Sequence, residues 1–284
     1  MKLFNKVVDI SDGITRVYMR ANRYIRPVGE CKTYFGATIV CDIGDFIQRR
    51  IYFFKIYEPN LTYFITAKLR PGDTFVDLGA NIGYFSLLAS KIVGPAGSVI
   101  AVEASPQTFG LLKANLDRNH CENVTALNVA ATEKPTFVEI MTLDATNSGM
   151  TQIKLKNERA AGLIEGKPLL DILGDAASKV NFIKIDIERS EAPVLEDILE
   201  NLDRFAPRLT VVAELQGPGS DRFVKRFRDA GFQAYGMPQN YKIGYFLLRD
   251  SLARFGEHSF YVTVPVDQYS TDYNDFVFVR GAGD

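Results

Sequence analysis

The stretch DTFVDLGANIGYFSLLAS (73–90) has the spacing most able to do chemistry. An apolar run delivers Asp77, and a turn holding Gly79, Ala80, Asn81 and Gly83 then opens a helix-like segment. A dinucleotide site would need glycine where this chain has Asn81 and Tyr84, because a pyrophosphate lies against bare backbone at the helix start. A nucleoside cofactor without phosphates fits the turn better, and S-adenosylmethionine is the natural candidate. Its amine needs an acceptor such as Asp77, directly or through water, and its carboxylate needs backbone N–H groups. Glu103 ends the next strand, 26 residues after Asp77, where a carboxylate can accept from both ribose hydroxyls. Ala104 and Ser105 follow it in the same loop. Asn128, Val129 and Ala130 end the third strand, where they contact an adenine edge or, for Asn128, simply cap the strand.

A second group lies downstream. Lys184, Asp186 and Glu188 alternate at the end of an apolar run, so their side chains leave one face of a strand near its carboxyl end. Open α/β sheets bind ligands there. Glu214 ends the neighbouring strand and converges on the same crevice. Methyl transfer from a sulfonium needs an aligned acceptor and a group to take its proton, and a buried carboxylate or a metal can supply the second. Asp186, Glu188, Glu214 and Lys184 are therefore the catalytic candidates. The competing roles are a loop cap for Asp186, an ion-pair partner for Lys184 and a helix first turn for Glu191. Magnesium could be held by the acidic groups, although no ligand spacing marks a site. His258 and His120 read as loop and surface residues.

These groups need a scaffold that ends several strands at one crevice. From residue 72 onward, short β-branched runs alternate with helix-like segments, the mark of an α/β protein with a mostly parallel sheet. Strands are expected at 74–78, 98–103, 124–129, 136–143, 180–186, 209–215 and 232–237, with 260–264 and 275–280 forming an antiparallel end. Helices are expected at 84–93, 105–119, 168–174, 190–203 and 219–230, the second capped by Ser105 with Pro106 at its first position. Residues 144–167 read as a mobile connection. The expected fold is a seven-stranded Rossmann-like sheet over 72–284, with helices on both faces and a substrate-covering insertion near 237–274. Residues 1–71 form a cap, extended at 32–42 and helical at 45–57, ending at Glu58-Pro59. Tyr52, Phe53, Phe54 and Tyr57 close over the cofactor, with Glu58 reaching it, or pack as core; the same run could be a homodimer face. Tyr241, Tyr245 and Phe246 line an acceptor face.

Composition narrows the partners. With 33 Lys+Arg against 34 Asp+Glu among 284 residues, no global basic footprint exists for nucleic acid. Two histidines leave little for metal sites or hydrolase triads. Three cysteines, Cys31, Cys41 and Cys121, never spaced as CxxC, indicate no disulfide framework and fit a reducing, cytoplasmic setting. No apolar run is long enough for a membrane span.

At these residues the sequence resembles the FkbM family of S-adenosylmethionine-dependent methyltransferases. The resemblance covers roughly 58–215 through YEP, PGDTFVDLGANIGYFSLLAS, VEASPQTFGLLKANL, LNVAAT, NSGMTQI and NFIKIDIERSEAPVLED. It implies a class I methyltransferase fold and transfer to a hydroxyl of a saccharide, polyketide or similar small molecule. One departure stands out: Arg189 replaces the family's glycine, where it could block close approach or bind an anionic acceptor. Methylation of an amine or macromolecule, and a non-catalytic cofactor-binding scaffold, are the rival readings.

Overall fold

The computed structural model describes residues 28–142, 147, 151–187, 190–215, 219–238, 262–273 and 275–281. The chain enters through an antiparallel hairpin, β1 (Val28–Lys32) and β2 (Thr38–Asp42). Asp45 then caps α1 (Phe46–Phe54) by accepting from the Ile47 and Gln48 amides at 2.9 and 2.8 Å. The helix expected over 45–57 stops at Phe54, because Lys55 turns left-handed (φ 62°) and its N–H closes onto the Ile51 carbonyl. A second helix, α2 (Pro59–Lys68), follows where none was expected, with Pro59 preset for a first helical position. The hairpin is stitched to the rest of the chain by side-chain amides: Asn119 bridges the Thr38 N–H and C=O, at 2.8 and 2.7 Å, and Asn115 accepts from Val40 N–H at 3.1 Å.

The core alternates as the period-2 pattern requires: β3 (Thr74–Leu78), α3 (Tyr84–Val93), β4 (Ser98–Val102), α4 (Pro106–Arg118) and β5 (Val124–Leu127). After an excursion come α5 (Leu169–Leu173), β10 (Val180–Ile185), α6 (Glu191–Glu200), β11 (Leu209–Glu214), α7 (Asp221–Asp229), β12 (Gln233–Met237), β13 (Val264–Pro265) and β14 (Asp275–Arg280). Among the described residues the main sheet has eight strands in the order β13-β12-β14-β11-β10-β3-β4-β5, against the seven expected. The edge strand β13 begins at the last residue of the run expected at 260–264, whose first two residues lie outside the described residues. From β11 to β5 the strands are parallel, and β14 inserts antiparallel between β11 and β12.

Alternation gives each face its own core. Phe75, Phe182, Val212 and Val277 join Ile39, Ile51, Phe64 and Ile65 of the leading segment. Val76, Leu78, Ile183, Ile185, Val211, Phe276 and Phe278 pack on the opposite face with α6 and α7. Apolar residues on both faces explain why these strands read as continuous hydrophobic runs.

The stretch expected as a mobile connection carries two strands. β7 (Thr136–Thr142), β8 (Thr151–Lys156) and β9 (Ile164–Lys167) form a second sheet with β6 (Ala130–Ala131), in the order β6-β9-β7-β8. The strand expected at 136–143 thus leaves the main sheet. Lys154 and Lys156 along β8 disguise a strand that is apolar on one face only, the usual composition of an edge. Among the described residues, no helix is long and apolar enough to cross a membrane.

Candidate active site

The glycine turn works by contact between strand ends. Gly79 (φ 78°) sits where an added Cβ would lie 1.8 Å from the Asp186 carbonyl oxygen, so only glycine lets the turn after β3 touch the end of β10. Asp186 N–H in turn donates to the Leu78 carbonyl at 3.0 Å. On the other side, the Gly79 and Ala80 amides both donate to the Val102 carbonyl, at 3.0 and 2.9 Å. Asn81 is left-handed (φ 49°), and its side chain accepts from the Ile82 N–H at 2.8 Å, an arrangement asparagine tolerates better than most residues. The turn is thereby clamped between β10 and β4 before α3 begins at an N-cap, Gly83, that has no side chain to satisfy the first helical amides.

Glu103 completes the clamp. Its Oε2 accepts from Asn81 N–H and its Oε1 from Ser105 N–H, both at 2.9 Å. Burial pushes this carboxyl up to about 7 despite those two amides, which pull it down. An ionised carboxylate has about four acceptor positions, so each oxygen keeps one for a further donor.

Behind the turn lies a buried charge cluster. Lys184 stands directly opposite Asp77 in the β10–β3 register. Its Nζ is 3.6 Å from Asp77 Oδ1 and 3.3 Å from Asp186 Oδ2, and lies 5.3 Å from the centre of the Phe85 ring. Burial works against its charge, but Asp186, Asp77 and Glu58 outweigh it, so the ammonium is held above its ordinary range. Asp77 is fully buried; Ser86 donates to its Oδ2 at 2.6 Å, and among the described residues none donates a hydrogen bond to its Oδ1. Burial raises its carboxyl, against the pull of Lys184 and Ser86. Glu58, also buried, is strained into the left-handed region (φ 38°, ψ 69°) at the start of α2. The phenol of Tyr57 beside it is raised by burial and by the Glu58 and Asp186 charges.

A cavity of about 250 Å³ opens over these strand ends. Of the residues expected from sequence, Glu58, Gly79, Ala80, Asn81, Glu103, Ala104, Val129, Ala130, Lys184, Asp186 and Glu214 line it. Asp77, Gly83, Ser105 and Asn128 stand behind the wall. Asn128 donates to the Glu103 and Ala104 carbonyls at 2.8 and 3.0 Å, holding the loop that carries Glu103. Glu191 is buried in the first turn of α6 and accepts from Ile187 N–H at 3.3 Å. Tyr57 reaches the cavity, whereas Tyr52 packs its ring over Gly29 of β1. Glu188, Arg189, Tyr241, Tyr245, Phe246 and His258, with most of 237–274, lie outside the described residues. Among the described residues, no group of three or more His, Cys, Asp or Glu is arranged to hold a metal ion.

Several wall residues went unforeseen. Phe46, Ile47 and Ile51 come from α1, Ile140 and Ile153 from facing positions of β7 and β8, and Asp275 from the start of β14. Asp275 was open to inference: an antiparallel strand pairing along β11 must begin where β11 ends, and the register sets Asp275 opposite Glu214.

The model of the methyltransferase FkbM domain matches residues 77–234, more than half the chain, and spans the turn, Glu103 and the β10 cluster. The chain belongs to the FkbM methyltransferase family. As such it is an S-adenosylmethionine-dependent methyltransferase. Among curated proteins it is 29% identical to the 31-O-demethyl-FK506 methyltransferase FkbM of Streptomyces tacrolimicus, over 63% of this chain and 78% of that one. A shorter match, 40% identical, relates 20% of this chain to the arsenite methyltransferase of Halobacterium salinarum, spanning only 15% of that protein's length. Among solved structures, the S-adenosylmethionine-dependent O-methyltransferase of Thermotoga maritima aligns over 91% of this chain and 79% of its own, with 14% identity and a TM-score of 0.44.

Proposed function

We propose that this FkbM-family protein transfers the methyl group to a hydroxyl oxygen of a small molecule, a saccharide or a glycosylated or polyketide natural product. The observation that carries the reading is the contact of Gly79 with Asp186. That backbone contact brings the turn against the end of β10, whose Asp186 and Lys184 line the same cavity. The residues present fit S-adenosylmethionine: Glu103 has acceptor positions for a ribose diol, Val129 and Ala130 give a wall to the adenine, and Glu58 lies on the same cavity for the amine. When bound, that cofactor supplies an electrophilic methyl group on a sulfonium.

The chain's part in the reaction is alignment and proton removal. In this reading Asp186, which is partly exposed, accepts a hydrogen bond from the acceptor hydroxyl. It would take the proton that the hydroxyl gives up on methylation. Lys184 fixes the carboxylate's position, and Asp77 fixes Lys184. The relative named for 31-O-demethyl-FK506 supports an oxygen as the acceptor atom.

A methyl-label screen against hydroxylated acceptors, with the product's methyl position assigned by NMR, tests the reading. In Asp186→Asn, turnover should fall about 10²–10⁴-fold, with S-adenosylhomocysteine affinity kept. Unchanged turnover in the folded variant removes Asp186 as the base, and label found on nitrogen overturns the O-methyl assignment.

A further inference from the structure

Two consecutive residues, Tyr57 and Glu58, both line the cavity. Regular backbone disfavours that, since neighbouring side chains leave opposite faces of a strand and stand about 100° apart around a helix. The left-handed backbone at Glu58 (φ 38°, ψ 69°) breaks both patterns, and the Tyr57 hydroxyl donates a hydrogen bond to the Glu58 carboxylate beside it. Thr62, fully buried one turn into α2, fixes the two peptide carbonyls behind these side chains. Its N–H donates to the Glu58 carbonyl at 2.8 Å and its hydroxyl to the Tyr57 carbonyl at 2.5 Å. The Tyr57 ring is held by Tyr84 and Phe85, each with its centroid 6.2 Å away, so the hydroxyl starts from a fixed place.

Glu58 also lies close enough to Lys184 to support its charge. Asp77 and Asp186 already contact that ammonium, at 3.6 and 3.3 Å. Tyr57 gives Glu58 a neutral donor that leaves its negative charge in place. Burial and the charges of Glu58 and Asp186 hold the phenol above its ordinary range, so it remains a donor wherever Glu58 is ionised. Resting on the reading that Glu58 meets the cofactor's amine, we infer that Tyr57 is a positioning residue for cofactor binding, whose hydroxyl pre-sets the Glu58 carboxylate for that amine. A carboxylate that accepts from one phenol keeps acceptor positions for an ammonium. Fixed before the ligand arrives, it loses less side-chain freedom on binding. The strained backbone at Glu58 is accounted for in the same way, as the conformation that brings hydroxyl and carboxylate together.

The test compares S-adenosylhomocysteine with 5′-methylthioadenosine, which keeps the nucleoside and the thioether but lacks the amino-acid end, by equilibrium dialysis on the full chain. Tyr57→Phe keeps the ring and removes only the hydroxyl. It should weaken S-adenosylhomocysteine about tenfold, the lower end for a hydrogen bond to a charged group, and leave 5′-methylthioadenosine within about twofold. In a Glu58→Ala background the same substitution should change S-adenosylhomocysteine affinity by less than about twofold, because the two residues act as one unit. A tyrosine that served only the aromatic packing would weaken both ligands alike, in both backgrounds. Either of those results overturns the inference, as does unchanged S-adenosylhomocysteine affinity in Tyr57→Phe. If Glu58→Ala alone leaves that affinity intact, the amine assignment falls and the inference with it. Wild-type protein that binds neither ligand strikes the methyltransferase reading itself, so the failures are distinct.

Discussion

Glu103 should couple cofactor binding to pH in a direction opposite to its effect on the fold. Its carboxyl, ordinarily near 4.5, is pushed up to about 7 by burial. At about 1.4 kcal/mol for each pH unit, ionising it in the cofactor-free protein costs about 3 kcal/mol. The folded state therefore binds more protons than the unfolded state across this window. From this group alone, stability is highest below about 4.5 and declines as pH rises through about 7. Binding runs the other way. Ribose hydroxyls donate to the ionised form, and charge-assisted hydrogen bonds contribute about 1.5–3 kcal/mol, so S-adenosylhomocysteine should bind about 10–150-fold more tightly to the carboxylate than to the acid. Binding then lowers the pKa and releases a proton, most strongly between about pH 5.5 and 7. Calorimetric titration in two buffers of different ionisation enthalpy, at pH 6, 7 and 8, measures both affinity and proton release. Glu103→Gln should bind weakly at every pH and release no proton. A wild-type affinity that is flat from pH 6 to 8, or an unchanged slope in the glutamine variant, would refute the assignment of Glu103 to the ribose.

Two further substitutions probe the frame. Lys184→Met leaves Asp77 buried without its cation and should destabilise the fold by about 3–5 kcal/mol, read as a lowered urea midpoint; the loss should be smaller in Lys184→Met/Asp77→Asn, and equal losses would show that the pair is not coupled. Asn60, fully buried in α2, donates to the Pro238 and Val262 carbonyls at 3.1 and 2.9 Å and accepts from Val262 N–H. Asn60→Ala should cost about 1–3 kcal/mol and raise protease sensitivity near 238 and 262, whereas wild-type cleavage and stability would show that the amide does not tie these segments to α2.

Legibility in the sequence tracked how local the determining physics was. The turn could be read because φ > 0 and close approach restrict residue choice within five positions, and the strand-end placement of Glu103 and Asp186 follows from period-2 alternation in buried runs. Lys184 beside Asp77 was only half readable: the sequence put each on a strand end, but the pairing depends on β10 lying next to β3, a long-range fact. The strands at 151–156 and 164–167 were missed for the complementary reason. Their polar composition belongs to a ribbon whose one apolar face, Ile140 with Ile153, is seen only once the register is known. Helix α2 was missed because its hydrophobicity runs all round, without the one-sided stripe that marks a surface helix.

The same distinction separates the two halves of the cavity. A cofactor common to many enzymes demands fixed atoms at fixed backbone positions, so the half that meets it is written in short motifs on β3, β4 and β5. The other half is walled by side chains delivered by β11, by the antiparallel β14, by α1 and by the β7–β8 ribbon. None of these is constrained by a turn or a tight glycine at the point of contact, so each can change while the sheet stays intact. Asp275 illustrates the consequence: its place in the wall follows from the register of β14 against β11, which sets it opposite Glu214.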